Sequence, residues 1–284
     1  MEDIKNMYSN KRKITVATVC LNAEAVIRNT IDSVLIQDYE DFEYLIVDGL
    51  SKDNTISIVN EYIPLFAEKH IDYRVVSEKD NGLYDAMNKA ADLSNGEWII
   101  YMNAGDMLLD RTTLKEVSTK LAEDLNVLYG DILLAEGNKY KIHKSGDISL
   151  INRCNPIMHQ SCFTRVDIVR RYKFDTSYKI CADYDLFLKL FKDNCNCFKK
   201  TDLVMSTFMM GGLSTTAIYL REKEFSNARK NNCIKEARFT KIFVFMITVK
   251  EYIRLLLIKI LKDRFFTSER GYYSLEELKN LLYK

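Results

Sequence analysis

Neither familiar glycine-rich phosphate loop occurs in this 284-residue chain: there is no Gly-x-Gly-x-x-Gly and no Walker-type Gly-Lys-Ser/Thr. The first β-rich run ends instead in Cys20-Leu-Asn22-Ala-Glu24. Dinucleotide-dependent dehydrogenases and P-loop NTPases need such loops to bring backbone N–H groups onto a phosphate, so the sequence argues against both. A nucleotidyltransferase loses ground for the same reason. No charge of one sign dominates, with 41 Lys/Arg against 40 Asp/Glu and a net charge of +1, which argues against general nucleic-acid binding. The seven cysteines include the pair Cys195-x-Cys197 but no second pair at zinc spacing, and they read as reduced thiols. Met1–Lys13 lacks an apolar h-region, so the expectation is a cytoplasmic protein without a secretory signal.

What is present is a globular composition, 47% hydrophobic and 29% charged, enough for one large core or a core plus a smaller appendage. Strand-like and helical patterns alternate through the first half. Ile14–Val19 and Phe42–Asp48 read as strands, with Ile27, Ile31, Val34 and Leu35 on one helical face between them. A helix from the capping run Ser51–Thr55 to about residue 68, a strand at Tyr73–Ser77, a helix at Leu83–Leu93 and a strand at Trp98–Met102 follow. Later strands are expected at Val127–Leu134 and Tyr140–His143.

Strands joined by helical crossovers form a parallel sheet covered on both faces, with ligands at the carboxyl ends of the strands. Four polar clusters fall at those ends: Asn22, Asp48–Asp53, Glu78–Asn81 and Asn103–Asp106. Turn chemistry alone explains any one of them. Their coincidence at one sheet edge points to a site.

Four stretches then resemble the inverting nucleotide-sugar glycosyltransferases of family 2, in particular a bacterial surface-polysaccharide subgroup. Thr18-Val-Cys-Leu-Asn22 is similar to the family's opening strand, where Asn22 matches, and Val47-Asp48-Gly-Leu-Ser51-Lys-Asp53-Asn-Thr55 to Val-Asp-x-x-Ser-x-Asp-x-Thr. Ser77-Glu-Lys-Asp80-Asn-Gly-Leu-Tyr-Asp85-Ala-Met-Asn88-Lys89 resembles the subgroup closely, and Tyr101-Met-Asn103-Ala-Gly-Asp106 stands where the family carries its Asp-x-Asp-type metal motif.

The resemblance implies an α/β GT-A fold, a Rossmann-like and mostly parallel sheet flanked by helices, with a helical C-terminal extension. Residues 1–12 would be a polar tail, 13–215 the catalytic domain (13–108 the nucleotide-binding half, 109–215 the acceptor half) and 216–284 the extension. It further implies that Asp48 accepts a hydrogen bond from uracil, that Thr18 and Asn22 line base and ribose, that Ser51 belongs to the same nucleotide site, and that Asp80, Asn88 and Lys89 lie along ribose and diphosphate. Asp106 would hold Mg²⁺ or Mn²⁺. Where many relatives have further carboxylates this chain has Asn103 and Gly105, and one carboxylate suffices because such ions keep waters and take ligands from substrate phosphates.

In the acceptor half, Pro156-Ile-Met-His159-Gln160 brings an imidazole and an amide to the start of an apolar run, with Asn103, His159, Gln160 and Asp185 as candidates for donor sugar or acceptor. The alternative for His159 is a hydrogen-bonded strand-end histidine. Ile180-Cys-Ala-Asp183-Tyr-Asp185-Leu resembles the family's Glu-Asp-x-Asp-Leu, with Ala182 in place of glutamate, and implies that Asp183 is the general base. Helix capping would equally account for both acids. Gly211-Gly-Leu-Ser214 resembles a loop bordering the site, or is a plain turn.

Residues 221–265 hold 12 Lys/Arg against 5 Asp/Glu. Within them Ile242, Met246, Val249, Ile253, Leu256 and Ile260 form an apolar stripe. The segment's longest uncharged run, Ile242–Val249, is far short of the roughly 18 to 20 residues a bilayer span needs. In-plane binding to an anionic membrane surface fits, as does packing on the catalytic domain or in a homodimer. The expected partners are a UDP-sugar donor and a glycan or polyprenyl-diphosphate-linked acceptor, with no nucleic acid, at the cytoplasmic face of the inner membrane. The competing readings are a catalytically degenerate nucleotide-sugar-binding module and a membrane scaffold of a glycan assembly complex.

Overall fold

All seven residues of Ile14–Cys20 (β1) are buried, as are all seven of Phe42–Asp48 (β2) and all four of Trp98–Tyr101 (β4). Continuous burial of β-branched and aromatic residues is what a sheet covered on both faces requires. The computed structural model describes residues 13–137, 139–210 and 217–234, with Met246, Val249 and Ile253. β1 pairs in parallel with β2 and β4, and β2 in parallel with Asp72–Ser77 (β3). Alternate residues serve two cores. Ala17, Val19, Leu45 and Val47 pack with Tyr84, Met87 and Ala90 of helix Leu83–Leu93; Val16, Tyr44, Ile46 and Ile100 pack with Ile27, Ile31 and Val34 of helix Ile27–Leu35 (α1).

The helix expected through residue 68 is two, Thr55–Glu61 (α2) and Ile63–Glu68 (α3). Pro64 sits at the start of α3, where its missing N–H is harmless but continuing the preceding helix is not. Leu83–Leu93 becomes α4. Met107–Leu108 (β5) and Thr113–Ser118 (α5) follow β4, then the antiparallel hairpin Val127–Glu136 (β6) and Lys139–His143 (β7). Cys162–Arg165 (β8), Val166–Tyr172 (α6), Ala182–Asp193 (α7), Phe198–Met209 (β9) and Ile218–Asn231 (α8) complete the described elements.

The sheet order is β3-β2-β1-β4-β8-β6-β9-β5, with β7 on β6. It is parallel from β3 to β4 and mixed beyond, because β8 runs antiparallel to both β4 and β6. The order reverses between β1 and β4, and the crevice outside their carboxyl ends is where such sheets bind ligands. Antiparallel β8 therefore begins at the end of the sheet where β4 finishes. That places residues 159–161, a single 3₁₀ turn before β8, beside the turn 103–106.

At the opposite end of the sheet the Glu43 side chain is fully buried on β2. Its carboxylate accepts hydrogen bonds from Thr15 Oγ1 (2.6 Å), Arg74 Nη2 (2.7 Å), Gly96 N (3.2 Å), Asn95 Nδ2 (3.2 Å) and Asn95 N. A Cβ at Gly96 would lie 2.6 Å from the Thr15 nitrogen, so that turn admits only glycine. Glu43 thereby ties β1, β3 and the α4–β4 turn.

Gly211–Ser214, residues 1–12 and most of the expected amphipathic helix lie outside the described residues. Met246, Val249 and Ile253 are helical and 62%, 38% and 48% exposed. No helix among the described residues is long and apolar enough to cross a membrane.

Glu43→Ala removes the acceptor of the Asn95 N–H and one of the two acceptors of the Gly96 N–H, which keeps Thr15 Oγ1, and leaves Arg74 without its buried partner; it is expected to cost about 3 kcal/mol. Arg74→Ala, at a partly exposed side chain, is expected to cost roughly 1 kcal/mol. Urea unfolding of the two variants measures the difference.

Candidate active site

The crevice has two ends, one at the close of β1, β2 and β3 and the other at the turn after β4. At the first, the fully buried Asp48 closes β2 and holds three loops. Its Oδ2 accepts from Ser51 N (3.0 Å) and Ser77 Oγ (2.7 Å); its Oδ1 accepts from Ser51 Oγ and Cys20 Sγ (3.7 Å). Four donors fill the roughly four lone-pair positions of a carboxylate. The loops after β1 and β2 are zipped together as well. Asn22 N donates to Ser51 Oγ (2.7 Å), Lys52 N to Asn22 Oδ1 (2.8 Å), Ala23 N to Thr55 Oγ1 (2.7 Å) and Glu24 N to Asp53 Oδ2 (3.0 Å). Asn22 takes a positive φ of 51°, which asparagine tolerates.

Asp80 rests on the bare backbone of Gly49, where a Cβ would lie 2.3 Å from Asp80 Oδ2. Its Oδ1 accepts from Gly82 N at 2.9 Å. Asp80 stays partly exposed and offers the crevice a carboxylate oxygen. Three other residues of the nucleotide group are engaged within the fold. Thr18, fully buried, donates to Met102 O (2.6 Å) and shares a hydrogen bond with Tyr44 Oη (3.0 Å). Asn88 grips the Phe174 backbone with both ends of its amide, at 2.9 and 2.8 Å. Lys89 donates to Lys79 O (2.6 Å) and pairs with Glu78 (3.0 Å), straddling the loop before α4.

At the other end, the turn after β4 passes through Gly105 at φ 101°, held by Thr30 Oγ1 on the Gly105 N–H (2.9 Å). Here the structure brings together residues from three distant stretches. Asn103 Nδ2 lies 3.3 Å from His159 Nε2, and His159 Nδ1 lies 3.4 Å from Asp183 Oδ2. A neutral ring donating from Nδ1 and accepting at Nε2 satisfies both contacts, a tautomer assigned from its partners. Gln160 hydrogen-bonds Asp106, and Tyr84 Oη lies 3.5 Å from Asp183 Oδ1 while donating to Ile180 O. Asp106, Gln160 and Asp183 are 6%, 4% and 7% exposed.

Burial pushes the Asp106 carboxyl up to about 7, against the opposing pull of His159 and of the hydrogen bond from Gln160. For His159 burial disfavours the imidazolium, but the hydrogen-bonded Asp183 and the nearby Asp106 outweigh it and raise the ring's pKa.

Neither Asp183 nor Asp185 caps α7 with its side chain. Asp185 turns away from His159, pairing with Lys189 Nζ (2.6 Å) and accepting from Asn232 Nδ2 (2.8 Å). The backbone N–H groups before α7 go to Glu224, a residue with no motif around it in the sequence.

Among the described residues no three His, Cys, Asp or Glu side chains gather to hold a metal. Asn103 Oδ1 and Gln160 Oε1 are nevertheless buried without a hydrogen-bond partner, next to the Asp106 turn. Buried orphan oxygens beside a desolvated carboxylate form a hard donor set of the kind Mg²⁺ and Mn²⁺ take, with remaining positions left to phosphate and water.

An α/β sheet whose crevice sets polar loops at the carboxyl ends of its first strands beside a buried acid cluster is the architecture of a ligand site at a sheet switch point. The glycosyl transferase family 2 model matches residues 15–183, and the chain belongs to that family. It is 31% identical over 209 residues to a PGL/p-HBAD biosynthesis glycosyltransferase of Mycobacterium bovis, covering 72% of this chain and 79% of that one. It is 28% identical over 181 residues to the Escherichia coli UDP-Glc:alpha-D-GlcNAc-diphosphoundecaprenol beta-1,3-glucosyltransferase WfgD, covering 61% and 67%. S. aureus TarS 1–349 in complex with UDP-GlcNAc superposes with a TM-score of 0.60 at 18% identity, over 76% of this chain and 66% of that one. The Pyrobaculum calidifontis mannosyltransferase PcManGT, in complex with GDP-Man and Mn²⁺, gives 0.57 at 17% identity, over 82% and 68%. At these identities the structures establish the fold.

An acid with a raised folded pKa adds stability that is fully present below its unfolded pKa of about 4 and is lost as pH rises through the folded value. For Asp106, raised to about 7, the metal-free protein is expected to lose thermal stability between about pH 4 and pH 7. Asp106→Asn is expected to flatten that part of a Tm-versus-pH curve measured in chelator.

Proposed function

We propose that this chain is an inverting hexosyltransferase that moves a sugar from a UDP-sugar to a lipid-linked glycan in bacterial surface-polysaccharide assembly, at the cytoplasmic face of the membrane. The observation that carries the reading is the row Asp183–His159–Asn103 running from a buried carboxylate to the Asp106 turn. Inversion needs one carboxylate to take the acceptor hydroxyl's proton while that oxygen attacks the anomeric carbon from the face opposite the nucleotide. Asp183 is that base, with His159 holding its Oδ2 and Tyr84 beside its Oδ1. The new C–O bond forms as the bond to UDP breaks, without a covalent intermediate on the protein.

Asp106, Asn103 and Gln160 would hold the divalent cation, which supplies charge stabilisation for the departing diphosphate when bound. With the Asp48 lone pairs already filled, we assign Asp48 and Ser51 to fixing the base loop, and the free Asp80 oxygen to donor contact. The UDP donor and the lipid-linked acceptor are supported by the WfgD and TarS likenesses. The exposed Met246, Val249 and Ile253, at spacings of three and four, support a helix lying on an anionic membrane.

UDP release is to be measured with Mn²⁺ across UDP-, GDP- and dTDP-sugars. Turnover with a UDP-sugar, lost in chelator and restored by Mn²⁺, is expected; release from guanine or thymine donors alone overturns the donor class. Asp183→Asn is expected to lower kcat about 10³-fold with donor binding retained. UDP binding without turnover on any donor would instead support the degenerate module.

A further inference from the structure

Ala182 stands where the resemblance has a glutamate, yet a carboxylate still reaches this turn from another helix. Glu224 of α8, 6% exposed, accepts hydrogen bonds from Lys179 N (2.9 Å), Ile180 N (2.8 Å) and Cys181 N (3.1 Å). We propose that Glu224 is a positioning residue for Asp183, gripping from α8 the turn that launches the base helix, so that the catalytic unit extends beyond residues 15–183. The inference rests on Asp183 being the base.

The geometry of the Ile180 peptide carries the argument. Its N–H is held by Glu224 and its carbonyl by Tyr84 Oη, the same hydroxyl that lies 3.5 Å from Asp183. The peptide is thus clamped at both ends, three residues before the base. A carboxylate on three successive N–H groups is a charge-assisted contact, and its negative charge suits the positive end of α7. Further ties keep α8 in place: Asn231 Nδ2 to Tyr178 Oη (3.0 Å), Asn232 Nδ2 to Asp185 Oδ1 (2.8 Å), Lys192 Nζ to Asn232 O (3.1 Å), and the Tyr184 and Phe225 rings 4.8 Å apart. Misplacing a reacting group by about 1 Å costs roughly 10²-fold in rate, so releasing this clamp acts on kcat before it acts on donor affinity.

Glu224→Gln keeps the shape but sets an amide NH₂ against backbone donors. In UDP-sugar transfer assays of the full chain, with folded fraction checked by circular dichroism, kcat is expected to fall about 10-fold or more with donor KM within about two-fold. Unchanged kcat would overturn the inference, because a purely structural tie would lower Tm alone. Asp183→Asn run in parallel separates the two ideas: retained kcat there defeats the base assignment, whereas loss there with full activity in Glu224→Gln defeats this one. Should Glu224→Gln not fold, Asn232→Ala, which releases α8 from α7 at its other end, is expected to show the same kcat-specific loss, and full activity in it counts against the brace.

Discussion

The antiparallel pairing of β8 with β4, in the register Trp98↔Arg165 and Ile99↔Thr164, is the constraint on which the site depends. Because β8 runs against β4, its first residues lie at the carboxyl end of β4, and His159 and Gln160 meet the turn holding Asn103 and Asp106. A parallel strand in that position would carry them to the opposite edge, beside Glu43 and Gly96. Hydrogen-bond direction between two short strands thus decides whether the His159 imidazole lies between the Asn103 amide and the Asp183 carboxylate or meets an unrelated loop.

The two ends of the crevice solve burial differently. Asp48 is surrounded by neutral donors on three loops and acts as a rigid hub, its charge shared over short hydrogen bonds. Asp106 is desolvated beside Gln160, and the buried Asn103 and Gln160 oxygens next to it have no hydrogen-bond partner. Buried oxygens without partners are costly in the free protein, and a bound group that supplies the missing partners offsets that cost. The Asp48 hub is satisfied within the fold, whereas the corner around Asp106 keeps unpartnered oxygens.

Several motif residues serve the scaffold. Asn88 and Lys89 occupy the third motif yet engage Phe174, Lys79 and Glu78, and Thr18 on β1 hydrogen-bonds Tyr44 on β2. Asp183 and Asp185 are two residues apart on one helix, so their side chains point in different directions: one meets His159, the other Lys189 and Asn232. Neither caps the helix, because both lie inside it, past its N-cap Cys181.

Local pattern alone determined the alternation of strands and helices, the buried runs of β1, β2 and β4, and the gathering of polar clusters at the carboxyl ends of the first strands. Those features follow from periodicity and turn chemistry, which neighbouring residues encode. That both oxygens of Asp48 are taken up within the fold, which of two acids faces the imidazole, and that a glutamate 41 residues downstream of Asp183 holds the turn before its helix were decided by tertiary packing. Hydrogen-bond capacity is filled by whatever donor the fold brings close, and closeness between residues far apart in the chain is a property of topology.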